Sequence, residues 1–249
     1  MPLRVERRGP VALLTLDDPE RRNALTAGLV DEIVAAVDAL EAADDVGAVV
    51  VTGAPPAFCS GADMGSLAEL GHPTRRGAAG GDTGLRSVYE GFLRVYRCAL
   101  PTVAAVNGPA VGAGLNLALA CDVRLAAPRA RFEPRFVRLG IHPGGGHTRL
   151  LTEAIGPQAA AAMVLAGEAL DGERAAAVGL AWRCVPAEIL VEEAVALADR
   201  AAAAPRELAV RVKASLRETP RLASMDEAVA LELERQVWSF EQGFFAPRR

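Results

Sequence analysis

The stretch that decides the fold covers residues 101–122 and reads PTVAAVNGPAVGAGLNLALACD. Residues 101–106 form an apolar, β-branched run that is typical of a short buried strand. A glycine-rich turn follows at residues 108–114, and residues 115–120 continue as an apolar helix. By itself this pattern leaves two roles open for the turn: a close packing contact, or an anion site at the amino terminus of the helix.

The alternation of strand and helix extends to both sides of this stretch. Residues 11–16, 46–52 and 123–126 are β-branched or apolar runs, which predicts three more strands. A helix is predicted to begin after Thr26, whose hydroxyl is a suitable N-cap. Its apolar residues recur at helical spacing: Leu29, Val30, Ile33, Val34, Val37 and Leu40. Repeated strand and helix units predict an α/β fold.

After about residue 191 only helical patterns remain. Pro205 precedes a helical stretch, Pro220 interrupts it, and Ser224 with Glu227 forms a capping box for a last helix. Because so small a helix pair buries too little apolar area alone, it forms either a subdomain or a surface for other subunits. We therefore predict an α/β core at residues 1–190 and a helical segment at residues 191–249.

Residues 72–84 carry the weakest pattern in the chain. They contain the four glycines Gly77, Gly80, Gly81 and Gly84. Glycine at this density predicts a mobile loop that could act as a lid.

Charge and hydropathy exclude several classes of partner. The 249 residues include 27 Lys plus Arg against 31 Asp plus Glu, so no strongly basic surface favours nucleic acid or an anionic membrane. The longest apolar run, residues 159–166, is too short to span a bilayer, and no apolar stretch follows the charged start as in a secretory signal. We expect a soluble, cytoplasmic protein.

The metal-ligating residue types do not form a recognisable site. The four cysteines contain no C-x-x-C pair, so they are expected to be separate buried thiols and not a zinc site or a disulfide scaffold. His142 and His147 are separated by proline and glycines, which does not place them on one helix face. Both are expected to be cap or surface histidines, and no metal is predicted.

The common nucleotide-binding signatures are missing. After Leu16 the chain reads DDPERRNAL, which is neither the glycine pattern of a dinucleotide fold nor a phosphate-binding P-loop. A nucleotide-binding α/β protein is therefore the least favoured reading.

Two motifs together carry a family resemblance. AFCSGADM at residues 57–64 and the stretch at 101–122 resemble the signature of the crotonase superfamily, the enoyl-CoA hydratase and isomerase family. PERRNAL at 19–25, VGAVVVTG at 46–53 and LGIHPGGGHTRLL at 139–151 extend the resemblance. It implies a crotonase-type spiral of ββα units, a carboxyl-terminal helical trimerisation segment that forms a homotrimer or a dimer of trimers, and an acyl-CoA substrate without any cofactor beyond its CoA moiety.

The resemblance also implies which atoms bind the thioester. Two backbone N–H groups, here of Ala62 and Ala113, are expected to bind the thioester oxygen as negative charge moves onto it. The second position is usually glycine, and the methyl group of Ala113 is expected to narrow the site. Asp63 and Met64, which follow the first donor, are expected together with Ala62 to bind the CoA substrate.

A second part of the site is expected to meet the CoA nucleotide. The resemblance assigns this role to Arg21, Arg22 and the backbone around Ala24. The pattern alone also allows a solvated charge run before a helix cap.

The catalytic glutamates of the family hydratases are replaced in this chain. Their places hold Asn116 and Phe136. Asn116 can orient water or substrate but cannot take a proton near neutral pH, and Phe136 can do neither. Glu133 is the first candidate for a replacement acid or base, with a solvated glutamate as the alternative reading. His72, Asp82, His142 and His147 are weaker candidates.

The leading hypothesis is an enzyme of the enoyl-CoA hydratase/isomerase family that stabilises an enolate in an oxyanion hole. Decarboxylation of an acyl-CoA, hydrolysis of its thioester, and a catalytically inactive acyl-CoA-binding protein remain open alternatives. Acyl length and pathway are not determined by these motifs.

Overall fold

The structure is a computed structural model that describes residues 1–63 and 80–245. Its strands are as follows: β1 (Leu3–Arg8), β2 (Val11–Leu16), β3 (Ala48–Gly53), β4 (Thr102–Val106), β5 (Pro109–Val111), β6 (Val123–Ala126), β7 (Arg131–Glu133), β8 (Leu170–Asp171) and β9 (Arg183–Cys184).

The helices alternate with these strands in the first part of the chain and follow them at its end. They are α1 (Ala27–Ala42), α2 (Gly80–Arg97), α3 (Ala113–Ala120), α4 (His147–Leu165), α5 (Gly172–Ala177), α6 (Leu190–Ala202), α7 (Arg206–Glu218) and α8 (Met225–Glu241). Short 3-10 turns lie at Pro19–Arg21, Val137–Leu139 and Thr219–Arg221.

Two sheets organise the molecule. The larger sheet has the order β1-β2-β3-β4-β6-β9, in which β1 and β2 form an antiparallel hairpin and all other pairs are parallel. The smaller sheet has the order β5-β7-β8. Since parallel strands need crossover connections, most neighbouring strands of the larger sheet are joined through helices, as the alternating sequence pattern predicts.

The larger sheet is covered on both faces. Alternate residues of β2 point to opposite sides, so Leu14 packs into the cluster formed with α1, α2 and α3, and Leu13 packs into the cluster formed with α6. On α6, the fully buried residues Leu190, Ala194 and Ala198 lie on the sheet. The apolar core therefore continues through α6, past the predicted boundary at residue 190.

Strongly apolar elements lie where the sequence predicts them. Strands β2 and β6 have the predicted bounds, and α1 begins after Thr26, whose hydroxyl accepts a hydrogen bond from the Leu29 N–H. Ser224 likewise caps α8, where its hydroxyl accepts from the Glu227 N–H. The sequence analysis missed β1, because LRVERR is rich in charge and becomes a strand by pairing with β2.

The predicted glycine-rich loop at residues 72–84 needs a correction. Its last five residues, 80–84, form the start of α2, because Gly80 is the first residue of that helix. The remainder, including His72, lies outside the described residues, and the side chain of Asp82 is not described.

The last two helices leave much apolar surface uncovered. Val212, Leu216, Leu233 and Phe240 are all at least half exposed. Among the described residues, no helix is long and apolar enough to cross a membrane.

One glycine fixes how α3 meets the segment before it. A Cβ on Gly114 would overlap the carbonyl oxygen of Cys59, so only glycine allows the first turn of α3 to approach the backbone at Cys59 this closely. Both residues are fully buried in this contact.

We predict that Gly114→Ala lowers the free energy of unfolding by about 3 kcal/mol, because the added methyl group meets backbone that cannot move aside. The matched control is Gly28→Ala in α1, where nothing lies within 4 Å of an added Cβ. That change should raise the free energy of unfolding by about 0.5 to 1 kcal/mol through helix propensity. Chemical denaturation measures both variants, and equal stabilities would contradict the packing argument.

Candidate active site

Two backbone segments run side by side at the centre of the candidate site. Residues 57–62 lie parallel to residues 109–113, paired through a bridge between Cys59 and Ala110. The Cys59 N–H donates to the Pro109 carbonyl at 3.0 Å, and the Val111 N–H donates to the Cys59 carbonyl at 3.0 Å. The two predicted motifs are thus one structural unit.

The pairing ends at two glycines. Gly61 has a φ of 99° and Gly112 a φ of 53°, conformations that favour glycine and turn the two chains apart. The Gly112 N–H donates to the Glu133 carbonyl at 2.9 Å, so the start of α3 is held against β7. A Cβ built on Gly61 would lie 3.5 Å from the nitrogen of Ala113, which shows how closely the segments still approach at this point.

A third segment, residues 21–25, packs on the other side of residues 60–62. The Leu25 N–H donates to the Gly61 carbonyl at 2.8 Å, and Leu25 is bridged in parallel with Ala62. In a parallel bridge of this kind the neighbours of Ala62 make the hydrogen bonds, so the N–H of Ala62 itself points away from Leu25. That direction is toward the side where residues 109–113 lie.

The amides of Ala62 and Ala113 are both unused. Among the described residues, neither N–H donates to an acceptor. For Ala113 the reason is its place as the first residue of α3, since the first amides of a helix have no partner within the helix. The helix dipole adds partial positive charge at the same point.

The residues predicted to meet the CoA nucleotide lie next to this unit. Arg21 and Arg22 have exposed side chains in the turn at Pro19–Arg21 and just after it, and their carbonyls accept hydrogen bonds from the side chain and the backbone of Ser60. Ala24 is buried, and its N–H and carbonyl are already bonded within residues 21–26. Asp63 follows Ala62 directly, and Met64 lies outside the described residues.

A buried asparagine that the sequence analysis missed holds this turn in place. Asn23 is fully buried, and its amide nitrogen lies 2.9, 2.8 and 3.3 Å from the carbonyls of Ala54, Ala57 and Phe58. Its side-chain oxygen accepts from the Asp18 N–H at 2.9 Å. One side chain therefore joins residues 18–25 to the segment that leads to Ala62. The only sequence signal was an asparagine in the turn, where its φ of 57° is tolerated better than in most residues.

Asn116 lies one helical turn after the start of α3, but its side chain is occupied. The amide nitrogen donates to the Gly144 carbonyl at 3.1 Å, and the amide oxygen lies 2.7 Å from Nδ1 of His147. The side chain is 1% exposed. Asn116 therefore orients a histidine, whereas the sequence analysis expected it to orient water or substrate directly.

His147 is the second residue that the sequence analysis undervalued. It was expected to be a cap or surface histidine, but it is 1% exposed at the start of α4. Burial lowers the pKa of its imidazole to about 4, so the ring is neutral near neutral pH. His142, by contrast, is exposed as expected, with Nδ1 2.7 Å from the Pro143 carbonyl oxygen.

Phe136 joins the histidine to the start of α3. Its ring centroid lies 4.9 Å from that of His147, and its ring edge is 3.9 Å from where a Cβ on Gly112 would be. Phe136 thus supplies an apolar contact between the two.

Glu133 is not the solvated glutamate of the alternative reading. It ends strand β7 and is buried. Its carboxylate accepts hydrogen bonds from Arg131 and Arg135, and Arg138 is 3.7 Å away. The Arg135 guanidinium is the main cause of a lowered pKa at this carboxyl. A carboxylate held ionised in this way is a weak base, and the structure favours a role in anchoring β7.

We predict that His147 makes the protein less stable as the pH falls from about 7 to about 4. The unfolded imidazole takes up a proton at its ordinary pKa of 6.5, whereas the buried ring does so only near 4. The unfolded state therefore binds more protons in this interval, and the loss amounts to about 3 kcal/mol.

Denaturation midpoints measured across this interval check the prediction. In His147→Gln most of the slope between about pH 5 and pH 7 should disappear, while the exposed-residue control His142→Gln should keep it. Glu133 does not contribute to the slope in this interval. Its pKa is lowered in the folded state, so the stability that it contributes is lost only as the pH falls below the ordinary carboxyl value of 4.5. An unchanged slope in His147→Gln would contradict the buried neutral state.

Comparison with known proteins places this architecture in one family. The family model for enoyl-CoA hydratase/isomerase matches residues 6–242. A probable enoyl-CoA hydratase from Mycobacterium tuberculosis is 48% identical over 244 residues, covering 96% of this chain and 92% of that protein. A putative enoyl-CoA hydratase from Thermus thermophilus is 39% identical over 225 residues, covering 90% of this chain and 85% of that protein.

Solved structures agree with these relatives. An enoyl-CoA hydratase subunit from Geobacillus kaustophilus superposes with a TM-score of 0.86 at 32% identity, covering 97% of this chain and 90% of that one. A probable enoyl-CoA hydratase/isomerase from Mycobacterium abscessus gives a TM-score of 0.85 at 33% identity, covering 96% of this chain and 90% of that one. The predicted crotonase-type α/β fold with its carboxyl-terminal helices is confirmed, and the chain belongs to the enoyl-CoA hydratase/isomerase family of enzymes.

Proposed function

We propose that this chain acts on an acyl-CoA thioester whose carbonyl oxygen is bound between the backbone N–H groups of Ala62 and Ala113. The observation that carries the proposal is that these two amides are without acceptors at the point where two glycines end the pairing of their segments. Relatives named as enoyl-CoA hydratases support the substrate class.

The chemistry needs such donors. When a nucleophile adds to the double bond of an enoyl thioester, or a proton leaves the carbon beside the thioester, negative charge moves onto the carbonyl oxygen. Fixed N–H groups stabilise that charge by about 3 kcal/mol each on the usual mutational scale, because they need no reorganisation as the charge develops. The amino terminus of α3 adds to the effect.

In this proposal, the turn beside Ala62 binds the CoA nucleotide. The exposed guanidinium groups of Arg21 and Arg22 are suited to phosphate oxygens, and the turn that carries them is bonded to Ser60. A thioester oxygen at Ala62 would leave the rest of the CoA chain directed toward this turn. The substrate's CoA moiety is the only cofactor-like group in the proposal.

The catalytically inactive alternative rests on one specific observation. Asn116 and Phe136 carry no carboxylate, and Glu133 is held by arginines, so none of these three places offers a free acid or base. A pure acyl-CoA-binding protein would bind butyryl-CoA and would not hydrate crotonyl-CoA. The enzyme is expected to do both.

The uncovered apolar surface on the last two helices supports a homo-oligomer. Leu216 on α7 is 72% exposed and Leu233 on α8 is 56% exposed. Because contiguous apolar patches on a monomer mark interaction surfaces, we propose that these helices form the contacts of a trimer or a dimer of trimers.

We expect sedimentation equilibrium to give the mass of three or six chains for the unaltered protein. The double variant Leu216→Glu with Leu233→Glu should sediment as a monomer, because charges at the interface core lack partners. A double variant that keeps the full oligomer mass, or an unaltered protein that is a monomer, would rule out these helices as the contact.

The oxyanion hole is tested by removing one N–H. Ala113→Pro replaces the amide hydrogen with a ring carbon at the first position of a helix, where proline is tolerated. We expect kcat/KM for crotonyl-CoA to fall by about 10²- to 10³-fold. Ala113→Gly keeps the N–H and should stay active.

The matched control is Ala27→Pro, the same change at the first position of α1, where the residue is exposed. This variant should retain full activity, and thermal unfolding should show that all three variants fold. An Ala113→Pro variant as active as Ala27→Pro would exclude the Ala113 amide from the reaction.

A further inference from the structure

One polar atom of the buried site has nothing to bond. In the part of the chain that the structure describes, Nε2 of His147 is buried and makes no hydrogen bond. A buried polar atom without a partner destabilises the folded state, so its presence calls for an explanation such as a catalytic role. Nothing in the thioester-binding function described above uses it.

The hydrogen bonds around the ring decide which nitrogen carries the proton. The Gly144 carbonyl can only accept, so the amide nitrogen of Asn116 must face it, and the amide oxygen then faces Nδ1 of His147. That oxygen also can only accept, so Nδ1 carries the hydrogen. Nε2 is therefore a lone-pair acceptor, the form required of a base.

The same helix turn carries the oxyanion donor and the residue that orients this base. Asn116 is three residues after Ala113, and residues at this spacing lie on one side of a helix. The Asn116 N–H donates to the carbonyl of Gly112, at the glycine where the two paired segments part. Phe136 lies between Gly112 and the His147 ring. Asn116 and Phe136 thus link the turn that carries the Ala113 amide to the His147 ring.

We propose that His147 is the proton-transferring residue of this enzyme and that Asn116 positions it. The inference rests on the proposed thioester site. In hydration of an enoyl-CoA, Nε2 takes a proton from water while the water oxygen bonds to the β-carbon and the electron pair of the double bond moves to give the enolate. The imidazolium then returns that proton to the α-carbon, the thioester carbonyl re-forms, and one water has been added.

A single residue can serve both steps because the two charges appear together. The ring becomes positive as the enolate oxygen becomes negative, so each charge stabilises the other in the low dielectric of a buried site. Before substrate binds, burial keeps the ring neutral, so no proton occupies the lone pair of Nε2. The pair of carboxylates missing from positions 116 and 136 is then not required.

Two variants at one position separate proton transfer from packing. His147→Gln keeps a polar side chain that can hydrogen-bond but cannot take a proton, and His147→Phe keeps a ring against Phe136. We expect both to lower kcat for crotonyl-CoA hydration by about 10²- to 10⁴-fold, the usual contribution of a general acid or base. The control His142→Gln, at the exposed histidine, should match the unaltered protein.

Titration with butyryl-CoA, which cannot be hydrated, reports on the thioester site independently. Its dissociation constant should stay within about threefold in every variant, since the oxyanion donors are backbone groups. If His147→Gln retains turnover within about tenfold, or if the unaltered protein binds butyryl-CoA and hydrates nothing, the histidine assignment is overturned and the thioester site stands. If the unaltered protein does not bind butyryl-CoA, the proposed function itself is overturned.

The role of Asn116 has its own spectroscopic signature. The chain has three histidines, so ¹⁵N labelling of histidine gives a spectrum simple enough to assign with the variants above. We expect one ring with a hydrogen on Nδ1 and a bare Nε2, and loss of that pattern together with reduced turnover in Asn116→Ala. An unchanged ring pattern in Asn116→Ala would show that this residue does not position the histidine.

Discussion

The parallel pairing of residues 57–62 with residues 109–113 is the constraint on which the rest of the site depends. Two hydrogen bonds at Cys59 fix the register, and the absence of a side chain at Gly114 lets α3 begin directly against this backbone. Where the pairing ends, Gly61 and Gly112 turn the chains apart. If the pairing continued, the amides after these glycines would donate hydrogen bonds to the partner segment. They lack acceptors because the pairing stops at the two glycines.

The surrounding structure holds that geometry from two sides. Asn23 bonds the turn at residues 18–25 to the carbonyls before Cys59, and Leu25 bonds the Gly61 carbonyl. On the far side, the Gly112 N–H is bonded to Glu133, whose carboxylate is fixed by arginines. Preorganisation of this kind is what makes backbone donors effective, since no energy is spent on orienting them during the reaction.

The electrostatics of the site differ from those of a carboxylate pair. Asn116, His147 and Phe136 are neutral, and the carboxylate of Glu133 is paired with guanidinium groups. Neutral, buried surroundings strengthen the electrostatic interaction of the N–H donors and of the helix dipole with a charge, because both act at short range in a low dielectric. The same burial keeps the imidazole of His147 uncharged near neutral pH.

The sequence by itself determined the α/β class, the strongly apolar strands β2 and β6, the capped starts of α1 and α8, and the family, because each depends on local periodicity, capping chemistry or contiguous motifs. Only the tertiary structure decided the charged strand β1, the burial of Asn23 and His147, and the arginine cage of Glu133. Asn23 and His147 bond Ala54 and Asn116, each 31 positions away along the chain. The pairing of β1 with β2 and the arginines around Glu133 involve nearby residues, but their contacts depend on how the strands are oriented in space. A histidine after three glycines is predicted to be an exposed cap, and only the fold brings Asn116 on α3 and Phe136 into contact with its ring.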